Sequence, residues 1–381
     1  MIEFGAAARR EFLLESGTAF LNHGSFGAAP RSVLEAAESW RRRMEANPDL
    51  FLREILPGAL RAGATRVAQF IRAKPDDVVF VDNATAGMNA VLRALQFDAN
   101  DEILATSHTY GAVRQAIHYV CDRTGARLVE ADVSLPVTGE SSLVAALSAC
   151  VTSRTRLVVL DHISSPTGLI FPVEELAALA RARGAQVLID GAHGPGQLEL
   201  DVPALGADWY VGNCHKWLFA PRSCAFLWCR DDSKRDLHPL AISHHYGEGF
   251  TAEFDWTGTR DFSAWLAVVD ALRFFDRLGA ARVRAYNHDL VVTAASKIAA
   301  AWQTPLDAPE AMHGSMIALR LPPRLQAYGP PTRDTARRLQ SAILAEHRVA
   351  VAIIALGDAL WMRISGQIYN TLEDYEKLLS I

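Results

Sequence analysis

The sequence predicts an α/β protein, with a large domain on a mainly parallel seven-stranded sheet and a smaller α+β domain at the C-terminal end. Three observations carry this expectation. From about residue 75 to 230, short apolar runs alternate with segments of helical period, as in strands joined by crossover helices. The runs are short and apolar, which suits strands covered on both faces. Beyond residue 305 the order changes to strand, helix, strand, strand, helix, and a separate unit explains the change.

Taken in order, the first strand candidate is DVVFV (77–81), followed by a helix beginning near Thr85 with apolar Met88, Val91, Leu92 and Leu95. EILAT (102–106), RLVEA (127–131), RLVVL (156–160) and QVLID (186–190) follow, with helical patterns at Gly111–Arg123, Ser142–Thr152 and Pro172–Arg183 between them. DWYVG (208–212) and CAFLWC (224–229) complete the seven strands. A helical block is expected from Phe262 to about Trp302, with Pro305–Pro309 as the boundary. The last unit reads MIALRL (316–321), a helix from Thr332 to His347, VAVAII (349–354), LWMRIS (360–365) and a helix from Leu372 to Leu379. The expected division is a segment 1–20 packing with the small domain, a large domain 21–260, and connecting helices with the small domain over 261–381. There is no internal repeat and no low-complexity tract.

Composition narrows the function classes. The 381 residues carry a net charge of −5 and a pI near 6.2, which supplies neither a basic footprint for nucleic acid nor a polybasic patch for a membrane. Five cysteines match no zinc pattern and no disulfide framework, so reduced thiols in a cytoplasm are expected, with no metal site. The opening MIEFGAAARREF lacks the apolar core of a signal peptide, and no apolar run reaches the roughly 18 residues of a membrane span.

Ligands of such sheets gather beyond the carboxyl ends of the strands. QVLIDGAHG ends a buried-type strand in Asp190, followed by His193. This Asp reads as a turn residue or as a carboxylate able to pair with a protonated heterocycle. Twenty-six residues on, GNCHKW places Lys216 between His215 and Trp217. The chain has 33 arginines but five lysines, and Lys74, Lys234, Lys297 and Lys377 lie in charged or helical surface patterns. Burial lowers a lysine pKa, and a neutral amine is what Schiff-base chemistry needs. In VDNATAG, Asn83 and Thr85 read as helix caps, or as a turn whose free N–H groups face a phosphate. Strand alternation puts Leu360, Met362 and Ile364 on one face and Trp361, Arg363 and Ser365 on the other.

An Asp at a strand end, a His three residues on and an H-K pair about 25 residues later resemble the class V aminotransferases of fold-type I, which use pyridoxal 5'-phosphate (PLP). LNHGSFGAAP, DHISSPTG, WTGTRDFSA and LWMRISGQIYNTLEDYEKL extend the resemblance from about residue 20 to 377, most closely to the isopenicillin N epimerase-like branch, which includes carbon–sulfur lyases. The resemblance implies a Schiff base at Lys216, a pyridine partner in Asp190, a contact from His193 to the ring oxygen, and stacking by His108. It places the phosphate on Ala84, Thr85 and Ala86 with Asn213 and His215, and implies that Gly258 and Thr259 reach the phosphate of a neighbouring subunit in a homodimer. Arg363 would clamp the carboxylate of a small amino-acid substrate, with Asn22, His23 and Arg260 as further substrate-side candidates. Ser165 stands where the family often has asparagine, among the cofactor contacts.

These roles imply an enzyme that labilises a bond at the α-carbon of an amino acid by proton abstraction through Lys216. An epimerase-like reaction leads the expectation, with carbon–sulfur β-elimination and transamination as alternatives. Epimerisation needs a second proton carrier, for which His23, Tyr110, His244 and His245 are candidates. A PLP-binding regulator is the non-enzymatic alternative. No cysteine lies between His347 and Arg363, which disfavours a desulfurase working through a persulfide.

Overall fold

The computed structural model describes residues 2–379 and 381. The large sheet contains β1 (Val78–Val81), β2 (Glu102–Thr106), β3 (Arg127–Ala131), β4 (Thr155–Asp161), β5 (Gln186–Asp190), β6 (Trp209–Asn213) and β7 (Ala225–Cys229). Their order is β1-β7-β6-β5-β4-β2-β3, and only β7 runs antiparallel to its neighbours. Side chains divide with the two-residue period of a strand. Phe80, Leu104, Val158, Leu160, Val187 and Ile189 enter one core, while Val79, Ile103, Leu157, Val159, Leu188 and Val211 enter the other. The expected α/β fold with a mainly parallel seven-stranded sheet is the observed one.

Helices cover both faces. Against the first core lie α1 (Arg31–Ala46), α2 (Leu56–Phe70), α5 (Glu140–Ser148), α6 (Val173–Ala182) and α7 (Val268–Leu278); α3 (Ala84–Ala94) and α4 (Gly111–Thr124) lie against the second. Sequence reading assigned no element to α1 or α2, although Leu56, Leu60, Ala64 and Val67 repeat at helical spacing and are buried. The smaller unit is an antiparallel sheet of β8 (Met316–Arg320), β9 (Ala352–Leu356) and β10 (Ala359–Ser365), ordered β9-β10-β8. It shares its core with α8 (Ala280–Trp302) and α9 (Arg333–His347).

Several boundaries differ from expectation. The block from Phe262 to Trp302 breaks at Gly279, whose φ of 82° a glycine adopts freely. Helix α7 packs in the large core, while α8 begins there with Val283 and enters the small core from Leu290 onward. The first twenty residues divide as well. Ala19–Phe20 pairs in parallel with Val349–Ala350, whereas Ala8 and Phe12 enter the large core. Val351 interrupts the expected strand 349–354, and the last expected helix is reduced to Glu373–Glu376. Among the described residues, no helix is long and apolar enough to cross a membrane.

Candidate active site

The two ends of the large sheet treat their carboxylates differently. At the amino ends, Glu102 meets Arg154 at 2.7 Å and Arg127 at 3.3 Å, and Asp208 meets Arg181 at 3.8 Å and Arg230. At the carboxyl ends, Asp161 of β4 and Asp190 of β5 are register partners, both buried, and neither has an arginine in ion-pair contact among the described residues. Asp190 Oδ1 accepts the Ala192 N–H at 3.0 Å, and Asp161 Oδ2 has no partner among the described residues. Burial raises the pKa of both; the Asp190 charge raises Asp161 further, while the Ala192 N–H and Lys216 oppose the rise at Asp190. Sequence reading singled out Asp190 and missed Asp161, which ends its own strand in the same way.

Lys216 follows β6 in a turn overlaid by the segment 23–27. Gly27 has φ 65°, and a Cβ there would lie 1.9 Å from the His215 carbonyl oxygen, so only glycine lets the two backbones approach. Lys216 Nζ lies 3.1 Å from His193 Nε2. Its pKa is lowered to about 7 by burial first, then by the charge of Arg363, with Asp190 opposing. His193 is buried, receives the Trp217 indole N–H at Nδ1 (3.3 Å), and offers its carbonyl to Gln197 (2.9 Å).

His23 does not occupy the substrate side that sequence reading gave it. It is fully buried, with Nε2 on the Lys216 carbonyl at 2.9 Å and Nδ1 on the Tyr369 hydroxyl at 2.8 Å. Burial lowers its pKa to about 3, so it holds the Lys216 backbone as a neutral ring. His108 is buried beside Phe171, and its Nδ1 meets Thr167 Oγ1 at 3.2 Å; burial lowers its pKa to about 4. Thr167 in turn donates to Ser164 (2.8 Å), a support that sequence reading missed.

Arg363 is 4% exposed, and every partner among the described residues is neutral. Nη2 donates to Asn22 Oδ1 (3.2 Å) and Ser25 Oγ (3.0 Å), and Nη1 to the carbonyl and hydroxyl of Ser165. Asn22 and Ser165 thus hold the guanidinium. A buried cation without a counter-charge favours an anionic ligand. Arg363, Lys216, Ser25, Tyr110, Arg114 and Ser165 line one cavity of about 360 Å³, completed by Ala352, Ile354, Ala355 and Leu356 of the small sheet.

The turn before α3 is partly closed on itself. Ala84 N–H donates to Asn213 Oδ1 and Ala86 N–H to Asn83 Oδ1, both at 2.9 Å, so these amides already have acceptors; the Thr85 hydroxyl remains. His215 Nδ1 meets the Cys224 carbonyl at 3.0 Å. Neither Gly258 nor Thr259 lines the Lys216 cavity, and Thr259 lines a second cleft, of about 1080 Å³, with His244, His245 and Trp256. Arg260 is also absent from the Lys216 cavity, pairing with Asp82 and lying 4.3 Å over the Trp265 ring.

The model of the class-V aminotransferase family matches residues 25–378. The chain belongs to the class-V aminotransferase family. A protein of Oryza sativa subsp. japonica named as an L-cysteine desulfhydrase is 36% identical, over 96% of this chain and 82% of its own length. An isopenicillin N epimerase of Streptomyces clavuligerus is 33% identical, over 97% of this chain and 96% of its own. The fold is similar to a C-DES mutant with glycine covalently linked to its PLP cofactor (TM-score 0.83, 22% identity, 98% of each chain). It is equally similar to the cysteine desulfurase of Thermococcus onnurineus NA1 (TM-score 0.82, 21% identity, 100% of this chain and 97% of the other). As a class-V member the chain is a PLP-dependent enzyme, and its donor set fits that cofactor. Lys216 would supply an amine for an aldehyde, Asp190 a carboxylate for a ring nitrogen and Thr85 a hydroxyl for a phosphate, and among the described residues Asp161 Oδ2 is a buried polar atom without a partner.

Proposed function

We propose that the chain catalyses β-elimination from a small sulfur-bearing amino acid of the cysteine class, with PLP held on Lys216. The observation that carries the choice is the composition of the cavity. It contains a buried, unpaired arginine for a carboxylate and, in Lys216, a single amine, with no imidazole among its lining residues. Elimination is served by one base, whereas epimerisation calls for a second proton carrier, and His23 is committed to Tyr369 and the Lys216 carbonyl.

When bound, the cofactor supplies an electron sink for the charge left when the α-proton departs. Lys216 Nζ takes that proton, and its lowered pKa keeps a useful fraction of free amine near neutral pH. Asp190 would pair with the ring nitrogen, and His193 and His108 would hold the ring in position. Arg363, held flat by Asn22, Ser25 and Ser165, orients the substrate carboxylate with its two-pronged fork. Thr85 anchors the phosphate. The overall change converts cysteine and water into pyruvate, ammonia and sulfide. None of the five cysteines lines the cavity, and β9 and β10 stay paired down to Leu356 and Ala359, which supports sulfur leaving directly rather than through a protein persulfide.

Epimerisation is the second reading, favoured by the 33% identity to the isopenicillin N epimerase over 96% of that protein. Tyr110, which lines the cavity, would then be the second proton carrier. The reactions separate when candidate amino acids are incubated in deuterated water. Equal yields of pyruvate, ammonia and sulfide support elimination. An inverted enantiomer carrying deuterium at the α-carbon, with no loss of amino acid, overturns it in favour of epimerisation, and a keto acid formed with the pyridoxamine cofactor overturns it in favour of transamination.

A further inference from the structure

Beside Lys216, the hydrogen-bond partners determine which nitrogen of His193 carries the proton. The Trp217 indole N–H can only donate, and it points at His193 Nδ1 from 3.3 Å, so Nδ1 is an acceptor. Burial first, then the charges of Lys216 and Arg363, hold His193 well below the ordinary imidazole range, so the ring is neutral. A neutral imidazole with a lone pair at Nδ1 carries its proton at Nε2. Nε2 is the atom 3.1 Å from Lys216 Nζ.

We propose that Trp217 is a positioning residue that fixes His193 in its Nε2–H tautomer and so makes His193 a hydrogen-bond donor toward the nitrogen of Lys216. A donor there favours a lysine nitrogen that offers a lone pair and disfavours an ammonium, whose own N–H groups would face the Nε2–H. Packing keeps the Trp217 indole in place. Its ring lies 4.9 Å from the His23 ring, and a Cβ on Gly196 would strike its carbonyl at 2.5 Å. The other groups facing the lysine nitrogen are Arg363, which works in the same direction, and Asp190, which works against it; His215 and His23 are neutral, both lowered by burial.

The test uses the PLP-loaded enzyme with nitrogen-15 in its 12 histidines, His193 being assigned by the signal lost in His193→Gln. The wild type is expected to show His193 protonated at Nε2 and unprotonated at Nδ1. A proton at Nδ1 overturns the proposal without any variant. Trp217→Phe keeps an aromatic ring and deletes the donor, and should give a mixture of tautomers. In the same variant the pH midpoint of the cofactor's visible absorbance should rise by roughly half to one unit, the worth of one hydrogen bond to this site. An unmoved midpoint overturns the coupling to Lys216. That coupling rests on the proposed cofactor attachment, and the two fail separately. Loss of the attachment would appear as a wild type with no visible absorbance while the tautomer signal stays as described.

Discussion

Arg363 is a cation whose whole set of partners is neutral, and that makes its chemistry conditional on a ligand. Replacing it by lysine keeps a charge and removes the planar fork. Substrate binding should weaken by about 1.5–3 kcal/mol, seen as a rise in KM with a smaller change in kcat. Lys216 offers a test free of cofactor. Its pKa falls from 10.5 to about 7 on folding, so between those values the unfolded chain binds the extra proton and stability rises with pH. Below about pH 7 both states are charged and the full penalty of burying the ammonium is present. Lys216→Met should therefore raise the Tm of the cofactor-free protein clearly at about pH 6 and much less at about pH 9.5. An equal gain at both would mean the lysine is not desolvated in the fold. Lys216→Ala should also abolish the visible cofactor absorbance and lower activity at least about 10³-fold, because attachment and proton transfer share this residue.

At the scale of elements, the segment 23–27 shows why a short motif keeps its glycine. Gly27 passes over the backbone of His215 with a positive φ, so a methyl group there meets both a strained conformation and a carbonyl oxygen. Gly27→Ala should destabilise the protein by about 1–3 kcal/mol and loosen the cofactor, measured by urea unfolding and by PLP retention on dilution. The period-two and helical patterns of the sheet and its crossovers were legible because the strands inside the sheet are covered on both faces and each crossover helix on one, with only the edge strand β3 partly exposed. The splitting of residues 349–356 at Val351 was not. One continuous apolar run serves two partners, Ala19–Phe20 and β10, and only the pairing reveals the break.

At the scale of the molecule, Thr259 lies in a cleft of its own, flanked by His244 and His245, and nearby Leu240, Ile242 and Tyr246 are exposed apolar side chains. This suits a second copy covering the cleft and receiving Thr259 near its phosphate. The protein should sediment as a dimer, and Thr259→Val should weaken PLP binding about tenfold or more through loss of a hydrogen bond to a charged group. A monomer with full PLP occupancy would remove Gly258 and Thr259 from the site. The sequence alone carried the sheet and the face of β10 that bears Arg363, which follow from local period and strand ends; its motifs carried the resemblance to the family, and a set of five lysines singled out Lys216. Tertiary structure decided which polar groups are free. It brought His23 under Lys216 instead of beside a substrate, joined Asp161 to Asp190, and closed the Ala84 and Ala86 amides onto Asn213 and Asn83. A hydrogen bond is satisfied by whichever partner the fold brings within about 3 Å, and that partner can lie hundreds of residues away along the chain.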